Sequence, residues 1–368
     1  MPPSRIAGGG VFAFCGGGKA LTFTRFRRII KNREICISTL KEELFFMKPM
    51  NIFDLHCDTM MPVYIDGHTL RNWTGHINLD KMQQGGAMVQ CFAIYIPTNR
   101  SAEYHNVKEG PYEYWKGCVN AFDKEMAANA DVIRQVRCVA DIEKNVKEGK
   151  MSALLTIENG APLDGKIERV QEFYDRGARM IGLTWNYENS VGYPCTDDKE
   201  QHMLGLKPFG LEVVSKMDEL GMVIDTSHLS EGGFWDVVKH SKNPFMASHS
   251  CARALCDHRR NLTDEQIKAL ANKGGIVGIN YECSFLNKGS ERTVPADIIR
   301  HMKYMANLGG IDMVALGSDF DGIGDCLDFK DYAGLPQLVD AIEKEFGAAA
   351  CDKICHGNAL RLFKDVIG

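Results

Sequence analysis

The sequence predicts a (β/α)8 barrel, and three observations carry that prediction. Eight short runs of β-branched, aromatic and other apolar residues recur along the chain, nearly continuous in character, as strands covered on both faces are. Stretches with helical patterning fill the gaps between them. The two alternate over about 320 residues, which suits one large barrel. A doubly wound open sheet is the competing architecture that the same alternation allows.

Taken in order, strands are expected at residues 51–56, 89–96, 152–158, 180–185, 223–228, 245–250, 276–281 and 314–320, each bounded by Gly, Pro or polar residues. Helices are expected at 168–176, 208–220 and 263–273, among others. The last opens on Thr263-x-x-Gln266, a capping box whose hydroxyl and amide satisfy orphan backbone N–H groups.

Composition closes off other classes. Of 368 residues, 45% are apolar and 25% charged, which excludes a disordered chain. Forty-three Lys and Arg against 48 Asp and Glu leave a formal charge of −5, with no broad basic surface for nucleic acid and no polybasic patch for a membrane. No run approaches the roughly 18 apolar residues of a membrane span. The 13 Cys are scattered singly from Cys15 to Cys355 with no C-x-x-C pair, a pattern that suits reduced thiols in a cytoplasmic protein better than a disulfide framework.

The first 46 residues stand apart, with a charge of +5 against −10 for the remainder. They carry Gly8 to Gly10 and Gly16 to Gly18, no regular period and no secretory pattern. The run from Cys15 to Lys19 is not a phosphate loop, because Ala13 and Ala20 replace the first Gly and the Ser/Thr of that motif. Lys41-Glu42-Glu43 is what a purine-rich ribosome-binding site encodes if translated. Residues 1–46 are therefore expected to be a non-native or disordered extension, with the single barrel domain running over 47–368. A peptide from upstream of Met47 in the mass spectrum of the native protein would overturn this.

Barrels of this kind build their sites at the carboxyl ends of the strands. Those ends carry His56-Cys57-Asp58, Glu158, His228, His249 and Asp319. Singly, each is as readily a packed histidine or a capping carboxylate. Together, at one end of independently drawn strands, they point to a binuclear hydrolase. His56 and Asp58 can share one ion, His228 and His249 the other, and Glu158 can bridge the two. Imidazole and carboxylate donors without thiolate suit Zn, Mn or Fe. Two cations would bring a bridging water to hydroxide near neutral pH and polarise a carbonyl. A nearby carboxylate, for which Asp319 is the candidate, would carry the proton to the leaving amine.

Six motifs, in order and spacing, resemble the membrane (renal-type) dipeptidase family of zinc metallopeptidases: Asp54-Leu-His56-Cys-Asp58, Ile157-Glu158-Asn-Gly160, Ile224-Asp-Thr-Ser-His228, Ser248-His249-Ser250, His258-Arg-Arg-Asn261 and Gly317-Ser-Asp319-Phe-Asp321-Gly322. The likeness runs from about Asn51 to Phe363. It implies a (β/α)8 barrel with two Zn2+ per chain that hydrolyses dipeptides, including some with a D residue at the C-terminal position. It also implies His56 and Asp58 on one zinc, His228 and His249 on the other, Glu158 between them, Asp319 as acid/base and Arg260 as reader of the substrate's terminal carboxylate. A guanidinium fork pairs a carboxylate bidentately. Family members are often homodimers, and no stripe in this sequence marks a dimer face.

The chain departs from the family pattern at one place. Where renal-type members carry a further His that contacts substrate or the tetrahedral intermediate, Trp185 stands in Gly182 to Asn189. Trp185 is expected to pack at the barrel rim beside the substrate, and Asn186, Tyr187 and Asn189 are candidate oxyanion donors. Two competing functions remain open: another amidohydrolase-like barrel acting on a cyclic amide, lactone or β-lactam, and a metal-binding barrel without turnover. Arg260 weighs against the first and Asp319 against the second. The sequons at Asn72, Asn99 and Asn261 follow no secretory signal, and Cys57 is expected to be packed.

Overall fold

Nine parallel strands form one sheet in the computed structural model, which describes residues 51–368; the 1–46 segment, its Cys15–Lys19 run and the proposed start at Met47 lie outside the described residues. In chain order they are β1 (Ile52–Cys57), β2 (Ala87–Tyr95), β3 (Ile133–Val136), β4 (Met151–Glu158), β5 (Met180–Gly182), β6 (Val223–Asp225), β7 (Met246–Ser250), β8 (Ile276–Ile279) and β9 (Val314–Leu316). Eight of them close into a barrel. β1 pairs with β2 on one side and β9 on the other, and β2 pairs directly with β4. The open-sheet alternative is thereby excluded.

β3 is the strand the sequence pattern did not announce. It pairs with the first half of β4, from Ile133 opposite Met151 to Val136 opposite Leu154, whereas β5 pairs only with the second half. β3 therefore lies alongside the start of a long strand whose barrel neighbour is short. Its central Arg134 and Gln135 are only partly buried, so no apolar run marked it.

The predicted helices are found at Glu168–Asp175, Pro208–Leu220 and Asp264–Asn272. Thr263 caps the last, with Gln266 N donating to its hydroxyl at 3.2 Å and Thr263 N donating to the Gln266 side chain at 2.9 Å. The barrel's inner layer is visible in one apolar cluster that takes a residue from each of the eight barrel strands: Phe53, Val89, Leu154, Met180, Val223, Met246, Ile276 and Ala315. Leu362 and Phe363 of the helix Asn358–Ile367 belong to the same cluster, and the Phe363 ring stacks on Phe53 at 5.2 Å. That helix plugs the amino end of the barrel and leaves the carboxyl end to the polar residues.

Four strands stop earlier than expected, at Gly182, Asp225, Ile279 and Leu316. Past β5 the apolar and β-branched run continues through Leu183, Thr184 and Trp185, whereas past β6 and β9 the residues are polar and local side-chain bonds turn the backbone. After β6, Ser227 N donates to Asp225 Oδ1 at 2.9 Å; after β9, Phe320 N donates to Ser318 Oγ at 3.1 Å. Such turns compete with strand pairing. His228 and Asp319 consequently sit just beyond the strands, in left-handed conformations with φ of 66° and 61°. A non-glycine residue held there costs roughly 1–3 kcal/mol and is characteristic of functional positions. Beneath them, a Cβ on Gly278 or Gly317 would overlap the Ser248 carbonyl, so both must be glycine for β7, β8 and β9 to meet.

Candidate metal centre

Six of the residues singled out from the sequence converge on one buried point. His56, one residue before the end of β1, has its ring 1% exposed, and its Nε2 stands 3.5 Å from Asp58 Oδ2, 3.7 Å from Glu158 Oε2 and 3.8 Å from Asp319 Oδ1. The other oxygen of the same carboxylate, Glu158 Oε1, stands 3.0 Å from His228 Nε2 and 3.5 Å from His249 Nε2. Glu158 thus presents one oxygen to each of two donor sets. Each set has ligand atoms within 4.8 Å of one another, His56 with Asp58 and Asp319 in the first, Glu158 with His228 and His249 in the second.

The outer nitrogens of two of these rings are held. His249 Nδ1 lies 2.7 Å from Ser248 Oγ, and His228 Nδ1 lies 3.1 Å from Asn186 Oδ1. Burial lowers the pKa of both rings well below the ordinary histidine value, so they are neutral. His56 behaves oppositely. Burial disfavours its charged form, but the fields of Asp58, Glu158 and Asp319 outweigh that and raise its pKa to about 10. Burial likewise pushes up Glu158, with Asp58 adding to the effect and His56 opposing it. Burial raises Asp319 to about 7, against the His56 field and the Asn280 hydrogen bond.

These residues fit divalent cations. Both ring nitrogens of His56 and Asp58 Oδ1 are buried without a hydrogen-bond partner, a costly arrangement unless something else meets them. The carboxylate field that raises the His56 pKa is one that cations held there would offset. Imidazole and carboxylate donors match zinc and its neighbours.

The centre opens into a cleft of about 770 Å3 lined by Asp58, Glu158, Trp185, Arg260, Glu282 and Asp319, among others. The two adjacent arginines part ways. Arg259 turns outward to an ion pair with Asp197 at 2.6 Å, whereas Arg260 is 5% exposed and faces the cleft. Its Nη2 donates to the His249 carbonyl at 3.2 Å, and its Nε has no partner. Asp319 receives a hydrogen bond from Asn280 Nδ2 at 2.8 Å.

Around Trp185 the expectations divide. Trp185 packs edge-on against Tyr95 at 5.0 Å and lies 6.0 Å from the His228 ring, forming part of the cleft wall. Asn186 and Tyr187 also line the cleft. Asn189 does not serve as an oxyanion donor: its amide donates to Asn159 Oδ1 and the Leu183 carbonyl, at 3.0 and 2.9 Å, and its own oxygen takes Val191 N and Gly192 N. Asn261 is 1% exposed and spends its amide on two backbone carbonyls, so its sequon is closed in the folded chain. Cys57 is fully buried, as expected.

Two buried carboxylates escaped the sequence reading. Asp225 accepts from Ser248 N and Ser248 Oγ, and Asp54 accepts from Ser318 N and Ser318 Oγ. Each Asp–Ser pair ties together two barrel strands immediately below the centre. Both aspartates stand within the quoted motifs, yet their partners are far away in sequence and no local spacing links them.

Residues 40–367 match the family described as membrane dipeptidase, peptidase family M19. The chain belongs to that family. It is 37% identical over 251 residues to an uncharacterized protein from the pqqA 5′ region of Klebsiella pneumoniae, covering 66% of this chain and 92% of that one. Its fold is similar to that of a metallopeptidase described as dipeptidase AC, with a TM-score of 0.78, 26% identity and coverage of 87% and 100% of the two chains. It is also similar to a metallopeptidase from Rhodobacter sphaeroides solved with a phosphinate mimic of the dipeptide L-Ala-D-Ala, with a TM-score of 0.76, 25% identity and the same coverage. As a member of the membrane dipeptidase family the chain is a zinc-dependent hydrolase, and its overlapping His/Asp/Glu clusters form a binuclear type of metal site. Among the described residues, no helix is long and apolar enough to cross a membrane.

Proposed function

We propose that this hydrolase cleaves dipeptides with a free terminal carboxylate, with His56 and Asp58 on one zinc, His228 and His249 on the other, and Glu158 between them. The observation that carries the proposal is the division of Glu158, one oxygen toward each donor set. Two zinc ions held there would polarise the scissile carbonyl and draw a water toward hydroxide near neutral pH.

The chain's own residues supply the rest. Arg260, buried and facing the cleft, binds the carboxylate and holds the peptide bond against the centre; a guanidinium with few protein partners has donors to spare for it. Asp319, held by Asn280, accepts the proton of the attacking water and returns it to the leaving amine. Trp185, with Tyr95 behind it, forms a wall that excludes water and supports the substrate. Asn186 contacts substrate only through its amide, because its oxygen is engaged with His228. A substrate with a C-terminal D residue fits this reading, given the L-Ala-D-Ala mimic bound by the Rhodobacter relative. Buried free thiols such as Cys57, Cys91, Cys118 and Cys251 support a reducing, cytoplasmic setting.

The test is hydrolysis of L-Ala-L-Ala, Gly-D-Ala and an N-acylated, C-amidated control, each with and without chelator. Chelator-sensitive cleavage of either free dipeptide and none of the control is the expected result. Cleavage of the blocked compound, or inertness of zinc-loaded protein toward all three, would overturn the proposal.

A further inference from the structure

Another group of metal-capable side chains lies apart from the centre. Glu282, Cys283 and Cys326 each offer one donor atom, and the three atoms lie within 4.8 Å of one another. Glu282 and Cys283 follow β8, and Cys326 follows β9, so two loops meet here. A backbone bridge between Thr293 and Leu327 joins the same loops. Both thiols are buried free cysteines with weak partners: Cys283 Sγ stands 3.5 Å from Glu282 Oε1, and Cys326 Sγ stands 4.0 Å from the Tyr281 carbonyl.

Two buried thiols beside a carboxylate gain little from one another as hydrogen-bonding groups. The same three groups are good ligands for a borderline or soft divalent ion. Donors of a tetrahedral zinc, about 2.0–2.3 Å from the ion, stand about 3.5–3.8 Å apart, so only a small closure is needed. Glu282 is already oriented, because Ser284 N and Ser284 Oγ donate to its Oε1 at 3.2 and 2.9 Å. Glu282 also lines the cleft, which gives an ion a way in and leaves a position open to water.

We infer that Glu282, Cys283 and Cys326 form a third cation site, taking zinc or a softer divalent ion, which staples the loop after β8 to the loop after β9 that carries Asp319. On binding, two S–H bonds break, two metal–sulfur bonds form and two protons pass to solvent. The staple reaches Asp319 through a short chain of contacts. Glu282 N donates to Asn280 Oδ1 at 2.7 Å, and Asn280 Nδ2 donates to Asp319 Oδ2 at 2.8 Å. Asp319 and Cys326 lie in the same loop, between β9 and the short turn Tyr332–Gly334. Fixing Glu282 against Cys326 therefore fixes the residue that positions the Asp319 carboxylate.

Cobalt provides a probe that separates this site from the centre, because a thiolate–cobalt charge-transfer band in the near ultraviolet needs sulfur and the centre has none. The full chain is loaded with Co2+ or Zn2+, desalted and assayed for metal content. The expected result is a sulfur band in the wild type that Cys283→Ser with Cys326→Ser abolishes, with a loss of one ion per chain. Glu282→Gln, which keeps both thiols, is expected to weaken cobalt binding at the sulfur band by about tenfold or more. No sulfur band in the wild type, a band that survives the double substitution, or a Cys283–Cys326 disulfide recovered from the loaded protein would overturn the inference. Substituting His56 should remove ions and turnover while leaving the sulfur band, so failure here and failure of the dipeptidase reading are distinguishable.

Discussion

Ser248 Oγ lies 2.5 Å from Asp225 Oδ2 and 2.7 Å from His249 Nδ1, which settles the tautomer of that histidine. A carboxylate can only accept, so the serine proton goes to Asp225 and the serine oxygen must accept from Nδ1–H. His228 Nδ1 meets the oxygen of Asn186, which also only accepts. Both neutral rings therefore turn an Nε2 lone pair inward, and those two nitrogens stand 3.1 Å apart and face Glu158 Oε1. Three acceptors around one point call for a cation.

The first prediction follows from that clamp. Ser248→Ala is expected to lower affinity for the second ion by about 10–100-fold, the usual cost of losing the partner that orients a ligand histidine, with the fold intact. Chelator competition, followed with far-UV circular dichroism as control, measures it. Unchanged affinity would mean that the ring is oriented by packing alone.

Arg260 is expected to act on substrate binding. Arg260→Met should lower kcat/KM for a free dipeptide by about 10–150-fold, from the roughly 1.5–3 kcal/mol of a charge-assisted hydrogen-bonded pair. Against a C-amidated dipeptide, wild type and variant should differ little. An equal loss on both substrates would contradict carboxylate recognition.

How much of this was legible beforehand is clear from where each residue sits. His56, Glu158 and His249 lie within strands buried along their whole length, where a nearly continuous apolar run announces the strand and the polar residue at its end. His228 and Asp319 stand at the expected end of the strands, but three residues past the last paired residues Asp225 and Leu316, because the turns that release them depend on side-chain hydrogen bonds that hydropathy does not register. The sequence marks Asn186 only as a substrate contact, whereas its oxygen holds His228. The Asp54–Ser318 and Asp225–Ser248 ties span 264 and 23 residues, and β3 carries polar residues at its middle; neither produces a local pattern.

Asp319→Asn is expected to lower kcat by about 10²–10⁴-fold, the usual contribution of a placed general acid/base, with metal content and KM nearly unchanged. Steady-state kinetics with elemental analysis of the same sample checks both halves. Because Asp319 Oδ1 lies 3.8 Å from His56 Nε2, ion loss in the variant would instead make this carboxylate a ligand.

The last prediction concerns stability against acid and depends on a histidine remote from the cleft. His301 lies in the helix Pro295–Gly309 with no exposed surface. Its Nδ1 accepts from Ala252 N at 3.1 Å, so its Nε2 donates to the Leu286 carbonyl at 3.0 Å, and the ring is complete as a neutral tautomer. Burial lowers its pKa to about 4, with the Leu286 hydrogen bond opposing. An unfolded histidine titrates near 6.5. Between these values the unfolded chain binds the proton and the folded chain does not, so stability falls as pH drops from about 6.5 toward 4 and is fully present above that window. From pH 7 to pH 5 the loss attributable to this residue is about 2 kcal/mol. Urea unfolding of metal-free wild type and His301→Gln at both pH values should give a shallower pH dependence in the variant, whatever its absolute stability. Parallel curves would show that another group carries the acid sensitivity.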